Sequence, residues 1–89
     1  MNFTYNLNDG VLTFSLDGRL DTEASAKFEA ELAEISRNNP HSSMVFDAEK
    51  LQYIASSGLR TILKMVKTEK DFSLENVSDA VYNVFEMTG

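Results

Sequence analysis

The sequence predicts a single small α/β domain with the element order β-β-α-β-α-β-α, a small mixed sheet carrying its helices mainly on one face. Three observations predict it. Two runs of polar–apolar alternation near the N-terminus flank an Asn-Asp-Gly turn. Beyond them, segments with a helical apolar period alternate with short apolar runs. Finally, 89 residues hold one core and no second one, so residues 1–89 form one domain. After the hairpin each strand is followed by a helix, which forces parallel pairing through right-handed crossovers.

The elements follow in order. Phe3, Tyr5 and Leu7 alternate with Asn2, Thr4 and Asn6, the two-residue period of a half-buried strand. Asn8-Asp9-Gly10 supplies the positive φ of a tight turn, and Leu12, Phe14 and Leu16 resume the alternation. Asp17-Gly18 is read as the break after this second strand, with Asp21 or Thr22 as the N-cap of a helix. From Thr22 to Asn38, Ala24, Phe28, Leu32 and Ile35 share one face, and Asn38-Asn39-Pro40 ends the helix. Met44-Val45-Phe46 is too short for a helix and uninterrupted by polar residues, so it reads as a strand buried on both faces. A second helix starts at Ser56 or Ser57 and runs to about Lys70. Leu59, Ile62, Leu63 and Val66 form its apolar stripe. Phe72–Asn76 is a short strand. Ser78 caps a last helix, with Val77 and Tyr82 as a hydrophobic staple and Val81, Val84 and Phe85 as its buried face.

Composition narrows the function classes. Cysteine is absent, which removes disulfides, thiolate zinc sites and a cysteine nucleophile. No run is long and apolar enough to span a membrane, and the start lacks a secretion signal, so a cytoplasmic location without membrane insertion is expected. The net charge of −6 argues against nucleic acid as a direct partner, because phosphate binding needs a basic footprint. The charge is unevenly placed. Segment 56–70 carries Arg60, Lys64, Lys67 and Lys70 against Glu69, a net +3, and the remainder carries −9.

Little in the chain suggests catalysis or a cofactor. His41 is the single histidine, far in sequence from Ser56, and there is no Gly-x-Ser-x-Gly elbow, Gly-rich phosphate loop or metal-ligand spacing. An enzyme using Ser56 as nucleophile would lack a recognisable base. Residues 51–63 are more informative. There an apolar run enters Ser56-Ser57-Gly58 and an amphipathic helix follows at once. Two readings of the serines stand side by side. Either hydroxyl can cap the helix. Alternatively, a serine here can carry a phosphate, which at a helix N-terminus meets free N–H groups and the positive end of the dipole. Such a modification would change what the surface binds rather than whether the domain folds.

Leu51-x-Tyr53-Ile54-x-Ser56-Ser57-Gly58-Leu59 closely resembles the signature of the bacterial anti-sigma factor antagonists of the STAS domain family. Gly18-Arg19-Leu20-Asp21, Val45-Phe46-Asp47 and the stretch from Asn76-Val77-Ser78 to Gly89 are similar to three further segments of that family, in the same order. The resemblance implies a protein–protein switch. The unphosphorylated domain would bind an anti-sigma factor that is also a serine kinase, and phosphorylation of Ser56 would abolish that binding. ATP would be held by the partner and no cofactor by this chain. The implied partner-binding residues are Asp21, Ile54, Ala55, Ser56, Ser57, Gly58, Leu59 and Arg60. Phosphorylated members commonly carry Asp just before the serine, where this chain has Ala55. That difference supports an alternative: a non-phosphorylated module serving as a scaffold in a signalling assembly or as a subunit of a lipid transporter. Many relatives continue with another element past the point matching Gly89, and the apolar surface this would leave makes a second copy of the chain a further expected partner.

Overall fold

A computed structural model describes the backbone of residues 1–88 and the side-chain surroundings of residues 1–83. The elements are β1 (Asn2–Asn8), β2 (Val11–Leu20), α1 (Thr22–Asn38), β3 (Ser43–Ile54), α2 (Ser56–Thr68), β4 (Phe72–Glu75) and α3 (Asp79–Thr88). The expected order is therefore present. The sheet runs β1-β2-β3-β4, with β1 antiparallel to β2 and the remaining pairs parallel. Asp9 (φ 52°) and Gly10 (φ 78°) make the left-handed pair of the tight hairpin turn.

One face of the sheet builds the core. Leu12, Phe14 and Leu16 of β2 and Met44, Phe46 and Ala48 of β3 are buried against Phe28 and Leu32 of α1, Leu59 and Ile62 of α2, and Val81 of α3. Phe14, Phe28 and Phe46 meet one another edge-on at centroid distances of 5.6–6.0 Å, and Phe72 extends the cluster from β4. Such tilted contacts match the positive ring edge to the negative ring face.

Several expectations are corrected. Asp17-Gly18 does not end β2. Gly18 (φ 107°) sits in an irregular stretch where the β2–β3 register shifts twice, and the strand continues to Leu20. β3 is a twelve-residue strand and is not buried on both faces. Val45 and Asp47 point to the side without helices and are only half-buried. The α2 stripe also leaves the core early: Leu63 and Val66 are 49% and 55% exposed. Ser78 does cap α3, accepting from Val81 N at 3.3 Å, but Tyr82 is half exposed. The expected burial of Val84 and Phe85 lies outside the described side chains.

His41 fastens the sheet end opposite the serine motif. Its Nδ1 is 2.8 Å from the Asn39 carbonyl oxygen and its Nε2 is 2.6 Å from Glu69 Oε1, just beyond α2. Against a carbonyl and a carboxylate, which only accept, both ring nitrogens must donate, so the geometry calls for the imidazolium. Burial opposes that charge, but the Asn39 and Glu69 hydrogen bonds and the Glu69 charge outweigh it, and the pKa is raised above its ordinary 6.5. A raised folded pKa contributes stability that is fully present below the unfolded value and lost as pH rises through the folded one. The urea midpoint is therefore expected to fall as pH rises upward from 6.5, and the fall should flatten in His41→Asn.

Candidate functional site

The candidate site is the corner where β2 and β3 end together. Parallel pairing brings Leu20 opposite Ile54, and the next amide, Ala55 N, donates to the Leu20 carbonyl at 2.9 Å. Asp21 and Ala55 therefore leave adjacent strand ends, and α1 and α2 begin side by side with their N-termini at one end of the sheet. Asp21 caps α1, its Oδ1 accepting from Ala24 N at 2.9 Å.

The helix-cap reading of the serines does not hold. The N-cap of α2 is Ala55, in extended conformation and without a side-chain cap. Ser56 occupies the first helical position, with its side chain in solvent. Ser57 turns inward instead. Its Oγ is buried and has no hydrogen-bond partner among the described residues, and the residue lines a groove between α1 and α2 with Ser25, Glu29, Arg60 and Lys64. The two neighbouring hydroxyls are thus chemically unlike: one is presented, the other sealed. With no cap side chain, the first-turn amides of α2 face the surface around Ser56.

Beneath this surface Ile54, Gly58 and Leu59 are buried, so they set the corner's shape. Gly58 lies so close to the strand ends that an added Cβ would sit 2.9 Å from Leu20 Cγ and Cδ2 and 3.0 Å from Ile54 Cγ1. Arg60 is exposed one turn into α2. Lys64 pairs with Glu29 at 2.9 Å across the helices, whereas Arg60 and Lys67 make no ion pair among the described residues. One neighbour escaped the site reading of the sequence. Arg19 pairs with Tyr53 across the strands, and its guanidinium lies 4.3 Å from the Tyr53 ring centroid. Its signal was present in Gly18-Arg19-Leu20-Asp21, but only cross-strand register puts Arg19 beside Tyr53.

The corner has no catalytic base from histidine, since His41 is held by Glu69 beyond the far end of α2. Among the described residues no cluster of His, Cys, Asp and Glu could hold a metal, and no helix is long and apolar enough to cross a membrane. The arrangement presents the accessible Ser56 hydroxyl on a partly basic surface.

A family model for the STAS domain matches residues 2–89. The chain belongs to the STAS domain family. It is 31% identical over 93 aligned positions to BtrV of Bordetella bronchiseptica, named as a candidate anti-sigma factor antagonist, covering 100% of this chain and 79% of that protein. The STAS fold is also shared with two solved forms of the anti-sigma factor antagonist SpoIIAA. The unphosphorylated form is 20% identical with a TM-score of 0.82, covering 99% of this chain and 81% of that one. The phosphorylated form is 19% identical with a TM-score of 0.75, covering 99% and 84%.

Ala55 gives this STAS corner a measurable signature. Its φ of −85° and ψ of 166° suit an N-cap, yet alanine is among the poorest caps. Ala55→Asp is expected to stabilise the domain by about 1 kcal/mol, read as a higher urea midpoint at unchanged slope.

Proposed function

We propose that this STAS domain is an anti-sigma factor antagonist whose Ser56 corner docks on an anti-sigma factor with serine kinase activity, and that phosphorylation of Ser56 ends the complex. The observation that carries the proposal is the exposed Ser56 hydroxyl at the uncapped start of α2, next to a Ser57 hydroxyl turned into the protein. Only the first presents an oxygen that a kinase can reach. The partner would hold ATP, and Ser56 Oγ would take its γ-phosphoryl as the hydroxyl proton passes to a base on the kinase. The phosphate would then lie near the positive end of α2 and near Arg60, which moderates its cost to the fold. That SpoIIAA, a protein of the same fold, exists in both phosphorylated and unphosphorylated forms supports the compatibility of the architecture with this chemistry.

The test is intact-mass analysis with peptide mapping after incubation with the host's anti-sigma factor kinase and ATP. One phosphoryl group is expected on the wild type and on Ser57→Ala, and none on Ser56→Ala. An equal gain on Ser56→Ala removes Ser56 from the role.

Ala55 favours a second reading, because it withholds the carboxylate that commonly precedes the modified serine. In that reading the corner serves a constitutive complex, as a scaffold or a lipid transporter subunit. Affinity purification from the native host separates the two: recovery of transporter components supports the second, and recovery of a kinase alone supports the first.

A further inference from the structure

The sheet's edge at β1 lacks the features that usually keep an edge strand unpaired. Seven residues, Asn-Phe-Thr-Tyr-Asn-Leu-Asn, run in unbroken register against β2 without a charge, a proline, a glycine or a bulge. Natural edges are commonly blunted by one of these devices, because a regular edge is a template for another strand. The opposite edge, β4, is only four residues long. On the core side of β1, Tyr5 and Leu7 are 48% and 43% exposed. A groove of about 750 Å³ separates this strand from α1, with Phe3, Tyr5, Phe28 and Ile35 on its walls.

The hydrogen-bonding phase of the strand can be read from the hairpin. In a two-residue type I′ hairpin the pair flanking the turn, here Asn8 and Val11, exchanges both backbone bonds. By alternation Asn2, Thr4, Asn6 and Asn8 bond to β2, and Phe3, Tyr5 and Leu7 turn their N–H and C=O groups to the free edge. The same three residues carry the apolar side chains.

We infer that β1 pairs antiparallel with β1 of a second copy, joining two four-stranded sheets about a two-fold axis at Tyr5. Only one antiparallel register pairs all seven residues. It sets Tyr5 opposite the partner's Tyr5 and Phe3 opposite the partner's Leu7, so every outward backbone group meets another outward group. Apolar side chains then face apolar ones on the core side. On the other side Thr4 meets the partner's Asn6 and Asn2 the partner's Asn8. Cross-strand neighbours of this kind are the stabilising unit of a sheet, and the pairing is self-complementary, as an isologous contact requires. The occupant is a second copy because the strand bears no charge to repel itself. The −6 charge of each chain acts from elsewhere and is screened by salt, so added salt should tighten association. β1 is two strands away from β3, which carries the Ser56 corner, so the pairing does not depend on the function proposed for that corner.

Sedimentation of the intact chain at high micromolar concentration should give a dimer. Tyr5→Lys and Tyr5→Glu each place like charges opposite each other at the axis and should be monomeric, while an equal mixture of the two should regain a heterodimer. Leu7→Lys, which faces the partner's Phe3, should weaken the dimer as well. Tyr5 and Leu7 are half exposed, and circular dichroism checks that each variant is folded. A monomeric wild type, a Tyr5→Lys variant that still dimerises, or a mixture no more associated than its components overturns the pairing.

Discussion

Phosphorylation of Ser56 is expected to weaken the proposed complex with an anti-sigma factor by several hundred-fold, a loss of ~3–4 kcal/mol. The magnitude follows from what the group does at a fitted contact. Roughly two negative charges and three acceptor oxygens replace one hydroxyl, and they must be desolvated or repelled if the partner is shaped for serine. The fold itself should change little, because Ser56 is exposed and begins a helix whose first amides are uncapped. Calorimetric titration of the phosphorylated and unphosphorylated chains measures the ratio, with thermal unfolding of the two as the control for stability. Ser56→Asp, with a smaller charge and one fewer oxygen, should reproduce only part of the loss. Ser57→Ala should leave the affinity close to wild type and should not destabilise the domain, since the buried Ser57 hydroxyl has no partner to lose among the described residues.

Gly58→Ala is expected to destabilise the domain, although the same change in most helices stabilises it. An exposed helical glycine replaced by alanine gains up to about 1 kcal/mol. At Gly58 the new methyl would lie 2.9 Å from Leu20 and 3.0 Å from Ile54, two side chains that are themselves fully buried and have little room to retreat. Overpacking of this kind costs about 1–3 kcal/mol and exceeds the gain. The remedy open to the protein is to lift the first turn of α2 from the strand ends, which displaces Ser56. Urea unfolding should therefore show a lower midpoint, and partner affinity should fall with it. A stabilised Gly58→Ala would mean that α2 is not seated on Leu20 and Ile54 as described.

The sequence was most readable where local chemistry and tertiary packing agree. Alternation around Asp9-Gly10 specified the hairpin because both turn residues adopt positive φ. The α1 face of Phe28 and Leu32 was legible because those residues are buried in the core. Reading failed where a neighbour decides the outcome. The second half of β3, Glu49-Lys50-Leu51-Gln52-Tyr53, looks like no strand, since its buried positions, Ala48, Leu51 and Ile54, recur every three residues. The register shifts against β2 account for that spacing. Leu63 and Val66 fit a helical stripe, yet they are half exposed, and periodicity carries no information about what lies opposite. At the candidate site the motif located Ser56 and Ser57 but could not assign them different environments. That distinction comes from the packing of α2 beside α1, with Ser57 lining the groove between them and Ser56 exposed.

The claim that the Ser56 corner is the surface the anti-sigma factor covers is tested most directly by amide hydrogen exchange on the free and bound chain. Slowed exchange should appear in the first turn of α2, at Ser56, Ser57 and Gly58, whose amides have no hydrogen-bond partner among the described residues, and should weaken toward the His41–Glu69 end of the sheet. A tight complex that leaves exchange at residues 56–58 unchanged, with protection confined to another face, would contradict the account.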